Sequence, residues 1–135
     1  MNGSFQLLAR RKIVAYYVSA KGRWNISWLL EHAWIESDFI PNKSAGFYPR
    51  TLSPRFISIP GIVKTPDDMA SNHSGYLIMK KEVVLDACND DIGSFGSCLN
   101  SAVSAGNNIP YHVLQFNCSH WAIATLTMCK IRAKM

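Results

Sequence analysis

A cysteine sits where an irregular segment turns into a long apolar helix, and no other stretch constrains this chain as much. The stretch reads Gln115-Phe116-Asn117-Cys118-Ser119-His120-Trp121-Ala122. Asn117 is a natural N-cap, because its side-chain oxygen can accept a free amide of the first turn. Cys118 then stands at the first helical position, where unpaired amides and the helix dipole favour an anion and help a thiol lose its proton. The run from Ile123 to Cys129 is apolar on almost every side, which predicts a central helix buried in the core. A thiolate at the tip of that helix is one reading. A small cysteine that only packs is the other, since cysteine is often buried.

The 135 residues fit one domain spanning 1–135, long enough to bury roughly two-thirds of the unfolded surface. An apolar fraction of 48% with 17% charged residues excludes a disordered chain. The net charge is +5. Much of it lies at the ends, in Arg10, Arg11, Lys12, Lys21 and Arg23, then Lys130, Arg132 and Lys134. Such ends are usually solvated, although they suit an anionic wall, membrane or nucleic acid. No apolar run approaches the roughly 20 residues that span a bilayer. Met1 to Ala20 loosely imitates a signal peptide, but Tyr16-Tyr17 and the lack of a clean cleavage site favour a first strand instead. The expected location is therefore the cytosol, or an exit by a route without a cleaved signal. Cys88, Cys98, Cys118 and Cys129 show no C-x-x-C spacing and make no disulfide framework. A single Cys88–Cys98 bridge stays open.

Read in order, Ile13 to Val18 is β-branched and aromatic, hence a strand. Lys21-Gly22-Arg23 is a turn. Asn25 to Glu36 predicts a longer second strand, hairpinned to the first. Its alternation sets Trp28, Leu30, His32 and Trp34 on one face, with Leu29, Ala33 and Ile35 on the other. Ser44 to Tyr48 predicts a third strand. Arg50 to Asn72 carries Pro54, Pro60, Gly61 and Pro66 and reads as a long irregular excursion, the rim of a cleft. Gly75 to Met79 predicts a strand. Lys81 to about Ala105 has helical spacing, with Gly93 and Gly96 as places to split it and Asp86, Asp90 and Asp91 on its solvated face. Pro110 to Phe116 is an extended lead-in to the Cys118 helix.

A nucleophilic thiol needs a base and a group that orients the base. His120 lies two residues past Cys118 in the same helix and points elsewhere. His112 and His73 read as surface residues. His32 differs, because it sits mid-strand between Leu30 and Trp34, where a polar ring must find a partner. A satisfied core histidine is the bland reading, and pairing with a helix-tip cysteine is the functional one.

His32-Ala-Trp-Ile-Glu36, then Ser44-Ala-Gly-Phe-Tyr-Pro49, and later Tyr111 with Asn117-Cys118-Ser119-His120-Trp121-Ala122, resemble circularly permuted NlpC/P60 (papain-like) proteins. The Asn-Cys-x-His-aromatic run resembles lecithin retinol acyltransferase-like proteins. The His-Ala-Trp and Gly-Phe-Tyr-Pro pair looks more like cysteine-hydrolase toxin domains of bacterial secretion systems, especially type VI effectors. The resemblance covers roughly Trp28 to Met128. It implies an α+β fold, with an antiparallel papain-like sheet packed against a central helix that carries the cysteine at its N-terminus.

The resemblance further implies Cys118 as nucleophile, His32 as base and Ser44 as the third catalytic group, with Tyr48 or Glu36 as alternatives for the third role. The Cys118 amide and the Gln115 side chain would face the oxyanion. The implied activity is a cysteine amidase or endopeptidase that cleaves peptidoglycan peptide stems through an acyl-enzyme. Such an enzyme would serve as a secreted antibacterial toxin in the target-cell periplasm, with a cognate immunity protein as partner. No cofactor and no nucleic acid are expected. The rivals are an acyltransferase, thioesterase or deamidase using the same residues on lipid or host protein, and a small basic binding module without catalysis. A metal site is disfavoured, because Cys118-x-His120 with distant Cys88 and Cys98 lacks paired ligand spacing.

Overall fold

The computed structural model describes residues 10–22, 31–50, 58–72, 75–87, 89–105, 109–112 and 116–133. The fold is α+β: a six-stranded antiparallel sheet with two long helices on one face. The strands are β1 (Arg10–Gly22), β2 (Glu31–Glu36), β3 (Ser44–Pro49), β4 (Ile59–Lys64), β5 (Gly75–Ala87) and β6 (Pro110–Tyr111). The helices are α1 (Asp68–Asn72), α2 (Asn89–Ala105) and α3 (Cys118–Ala133). The sheet order is β5-β1-β2-β3-β4-β6.

The first two strands pair as the alternation predicts, from Tyr16 opposite Glu36 to Lys21 opposite Glu31. The expected residues 25–30 of the second strand lie outside the described residues. Ala33 and Ile35 point into the main core, with Ala45, Phe47, Phe95, Leu99, Trp121 and Leu126. Trp34 turns the other way, into a smaller cluster with Val18 and Ala20, closed by Met69 and Ala70 of α1. Both faces of β2 are thus covered, and His32 is buried at 8% exposure. Between β2 and β3 the chain reverses through Pro41–Lys43, with Asn42 and Lys43 at φ 62° and 71°. Asparagine tolerates that left-handed backbone better than most side chains.

Three expectations need correction. The excursion from Arg50 to Asn72 is not all loop: it holds β4 and α1. Pro60 sits in β4, which pairs with β3 on one side and with only two residues of β6 on the other, so its missing N–H disturbs little. At Gly61 the Phe47 ring lies where a side chain would project. Next, the segment from Lys81 to Ala87 is strand and not helix. Val83 and Leu85 alternate into the core while pairing with β1, and the helix starts only at Asn89. Asp86 therefore stands on a strand. Gly93 and Gly96 do not split α2. Gly93 faces open space, and Gly96 lets the Phe39 ring lie against the helix.

The third correction concerns the Cys118 helix. It is not buried on all sides. Cys118, Trp121, Ala122, Thr125, Leu126, Cys129 and Ala133 form a buried face at helical spacing, while Ile123, Met128 and Ile131 are exposed. The helix lies on one face of the sheet beside α2 instead of passing through the middle. Cys98 of α2 and Cys129 of α3 form a disulfide with Cα atoms 5.5 Å apart. That pairing displaces the open Cys88–Cys98 bridge, and Cys88 itself lies outside the described residues. Closing a segment with a separation of 31 residues stabilises a fold by about 3–4 kcal/mol in the chain-entropy account. Cys118 is left as a free, buried thiol. Among the described residues, no helix is long and apolar enough to cross a membrane.

Candidate active site

The site is built where the N-terminus of α3 meets β2 and β3. Asn117 caps α3: its Oδ1 accepts the amides of Ser119 (3.1 Å) and His120 (3.3 Å). His120 completes a reciprocal cap, with its Nδ1 accepting the Asn117 amide at 3.2 Å. That bond, together with a stack on Phe116, gives His120 a local role and takes it away from the thiol. A second bond secures the same turn, between Tyr17 Oη and Ser119 Oγ at 2.7 Å.

Cys118 is 7% exposed. Its thiol faces the start of β2, with the Glu31 carbonyl at 3.9 Å as a long acceptor. His32 bonds to the sulfur, and the amides of Ala33 and Ser119 also point at it. Burial alone would push the thiol up. The His32 bond and charge, then the two amides, outweigh it and hold Cys118 below the ordinary thiol range. The other half of the pair shifts the opposite way. Burial would lower His32, but its bonds to Asp67 and Cys118 raise it to about 9. Both shifts favour one state, a thiolate beside an imidazolium.

The group that orients His32 is Asp67. Its Oδ1 lies 2.6 Å from His32 Nε2 and also accepts the Tyr48 hydroxyl at 2.8 Å. Its Oδ2 accepts the amides of Met69 (3.0 Å) and Ala70 (3.1 Å), the N-cap bonds of α1. The side chain of Asp67 is fully buried, and every bond to it makes it an acceptor, as a carboxylate requires. With Nε2 held by Asp67, Nδ1 is the ring nitrogen left for Cys118. The ring is further fixed by Tyr48 (centroids 4.6 Å apart) and by Trp34, stacked at 5.7 Å. Gly46 makes the approach feasible. A side chain there would run into the Asp67 carboxylate and come within 3.1 Å of His32 Nε2.

Ser44, the expected third group, is buried beside these residues but bonds elsewhere. Its Oγ accepts the backbone amide of Asp67 at 2.9 Å, so it holds the holder. Tyr48 reaches the same carboxylate as His32. Glu36 is bound by the Trp34 indole and by Lys80. Gln115 and His73 lie outside the described residues. His112 exchanges backbone bonds with Phe116, closing the loop before α3.

Two residues escaped the sequence reading. Asp67 carried a signal in Pro66-Asp67-Asp68, an acidic N-cap followed by a short helix. Tyr111 appeared among the residues of the resemblance without a role. Its hydroxyl meets the backbone of Cys118, and burial, with the Cys118 charge second, pushes it up to about 12. It therefore keeps its proton beside the sulfur.

In the comparisons with known proteins, no family model, no curated protein and no solved structure matches this chain.

Proposed function

We propose that this protein is a cysteine hydrolase of the permuted NlpC/P60 type, cleaving amide bonds through an acyl-enzyme on Cys118. The observation that carries the reading is the buried sequence of contacts Cys118–His32–Asp67, with the thiol lowered and the imidazole raised. A structural cysteine has no use for an imidazole fixed by a fully buried carboxylate. Support for the permuted order comes from the chain itself: the histidine strand β2 precedes the cysteine helix α3.

The chemistry follows from the geometry. His32 already holds the thiol proton in the resting pair, and the sulfur attacks the carbonyl carbon. The developing oxyanion is met by the Tyr111 hydroxyl, whose oxygen accepts the Cys118 amide. Imidazolium then protonates the leaving amine as the C–N bond breaks. In the second half His32 takes a proton from water, hydroxide attacks the thioester, and Cys118 leaves with the acid released. Asp67 holds the ring and balances its charge throughout without taking the proton.

For the substrate we propose the peptide stems of peptidoglycan, and for the biological role an antibacterial effector. The net charge of +5 is compatible with dwelling on an anionic wall. Purified peptidoglycan incubated with the protein should yield new fragments with free amino groups. Cys118→Ala and His32→Ala should each lower the rate by at least about a thousandfold while circular dichroism stays native. Degradation by either variant at the wild-type rate rules the assignment out. Mass spectrometry of the adduct trapped on Cys118 separates a peptide acyl group from a fatty acyl group.

A further inference from the structure

β5 ends the sheet, and among the described residues no strand lies on its outer side. It is 13 residues long. Tyr76, Leu77, Ile78 and Met79 follow one another along it, and all four are between 46% and 63% exposed. A long edge strand with contiguous exposed apolar residues templates pairing with another chain. The sequence of β5 says which chain. When two copies run antiparallel about a two-fold axis at Lys81, Met79 falls opposite Val83, and beyond Met79 the bulge at Ile78 ends the regular register. Lys80, which reaches Glu36 of its own chain at 3.3 Å, falls opposite Glu82 of the other copy, and symmetry makes that second contact twice. Residues 80 and 82 share one face of the strand, so the charges can meet.

Other registers lose this match. An axis at Met79 sets Lys80 against Ile78 and Lys81 against Leu77. A slip of one residue sets Lys80 against either Lys81 or Val83. The two Lys81 side chains meet at the axis itself, on the face opposite Lys80 and Glu82, where their long stems can part into solvent. We propose that β5 is a homodimer interface, two copies pairing antiparallel with Lys81 on the axis. This rests on the sheet edge and the charge pattern alone, and stands apart from the chemistry at Cys118.

The test is sedimentation equilibrium on the full chain with its disulfide intact. The wild type should dimerise reversibly. Lys80→Glu and Glu82→Lys each place like charges opposite one another twice, and each should weaken the dimer about tenfold or more. The double variant restores opposite charges and should return to within about threefold of wild type. A protein that stays monomeric at all concentrations overturns the proposal. So does a dimer indifferent to both single changes, or a double variant that fails to recover. Hydrogen exchange of the wild type gives a second readout that needs no variant. The amides of β5 should gain protection as protein concentration rises, and concentration-independent exchange there would also overturn the interface.

Discussion

Two helix N-termini meet in the site, and they are capped by different chemistry. At α1 the cap is Asp67, a fully buried acid whose two oxygens accept four bonds. At α3 the cap is Asn117, a neutral amide that is half-buried and serves two amides. The difference follows from what each terminus must tolerate. The α1 terminus carries Asp68 in its first turn, where Lys64 answers it at 2.9 Å, so the Asp67 carboxylate still gains from the helix dipole and keeps an oxygen for His32. The α3 terminus must welcome a thiolate at its first residue. A carboxylate cap one position away would repel it, whereas asparagine satisfies the same amides without charge. The two caps therefore divide the work: one supplies negative charge to the imidazole, and the other withholds it from the sulfur.

The largest break in this comparison comes at Asp67. Asp67→Ala removes both functions at once. It strands two helix amides, a phenol and a buried imidazole, and should cost about 3–5 kcal/mol of stability. Asp67→Asn separates the functions. The amide oxygen can still cap α1, while the negative charge facing His32 is gone. Burial then drives His32 down against its interaction with Cys118 alone, and Cys118 loses much of the cation that holds its thiol low. The expected result is a folded protein whose alkylation by iodoacetamide rises only towards the ordinary thiol range. In the wild type the thiolate should be alkylated below that range. Hydrolysis should persist until the pair loses its second proton near pH 9. The stability that His32 contributes has the same sign. It is complete below the unfolded histidine value of 6.5 and is lost as pH rises through about 9. An unchanged alkylation profile in the Asp67→Asn variant would show that charge at Asp67 does not reach the sulfur.

The opposite edit is smaller. Asn117→Asp keeps the α3 cap and adds charge beside Cys118. Helix stability should hold or improve by a few tenths of a kcal/mol. Alkylation at neutral pH should slow about three- to tenfold, from like-charge repulsion at a half-buried site. A charge-independent profile would mean that the neutral cap is incidental.

The asymmetry between the caps also explains what was legible in the sequence. Asn117, Cys118 and His120 are adjacent, so capping rules reach them directly. His32 declared itself as a polar ring on a strand that should be apolar. Asp67 did not, because its value depends on where β4 delivers the chain. Separation along β3 points to Ser44, and that is a one-dimensional criterion. The carboxylate arrives from the far side of β4, through a turn and the first residue before α1. Punctuation by Pro60, Gly61 and Pro66 hid β4, and helix-forming Lys80-Lys81-Glu82 hid the continuation of β5. In both places pairing with a neighbouring strand overrode local preference. The Cys98–Cys129 bridge likewise depends on how α2 lies against α3, which spacing within one helix cannot state.

Ser44 offers the finest test of how the two functions at Asp67 are supported. Its hydroxyl accepts the Asp67 backbone amide, while the carboxylate oxygens serve His32, Tyr48 and the α1 amides. If Ser44 were the group that orients His32, its removal would disturb the thiol. If it only seats the α1 cap, Ser44→Ala strands one buried amide, costing about 1–2 kcal/mol. The sulfur should then titrate as before. Denaturant unfolding and the alkylation profile, measured on the same variant, separate the two roles. A stability loss with an unmoved profile places Ser44 behind Asp67, and a moved profile with little stability loss returns it to the histidine.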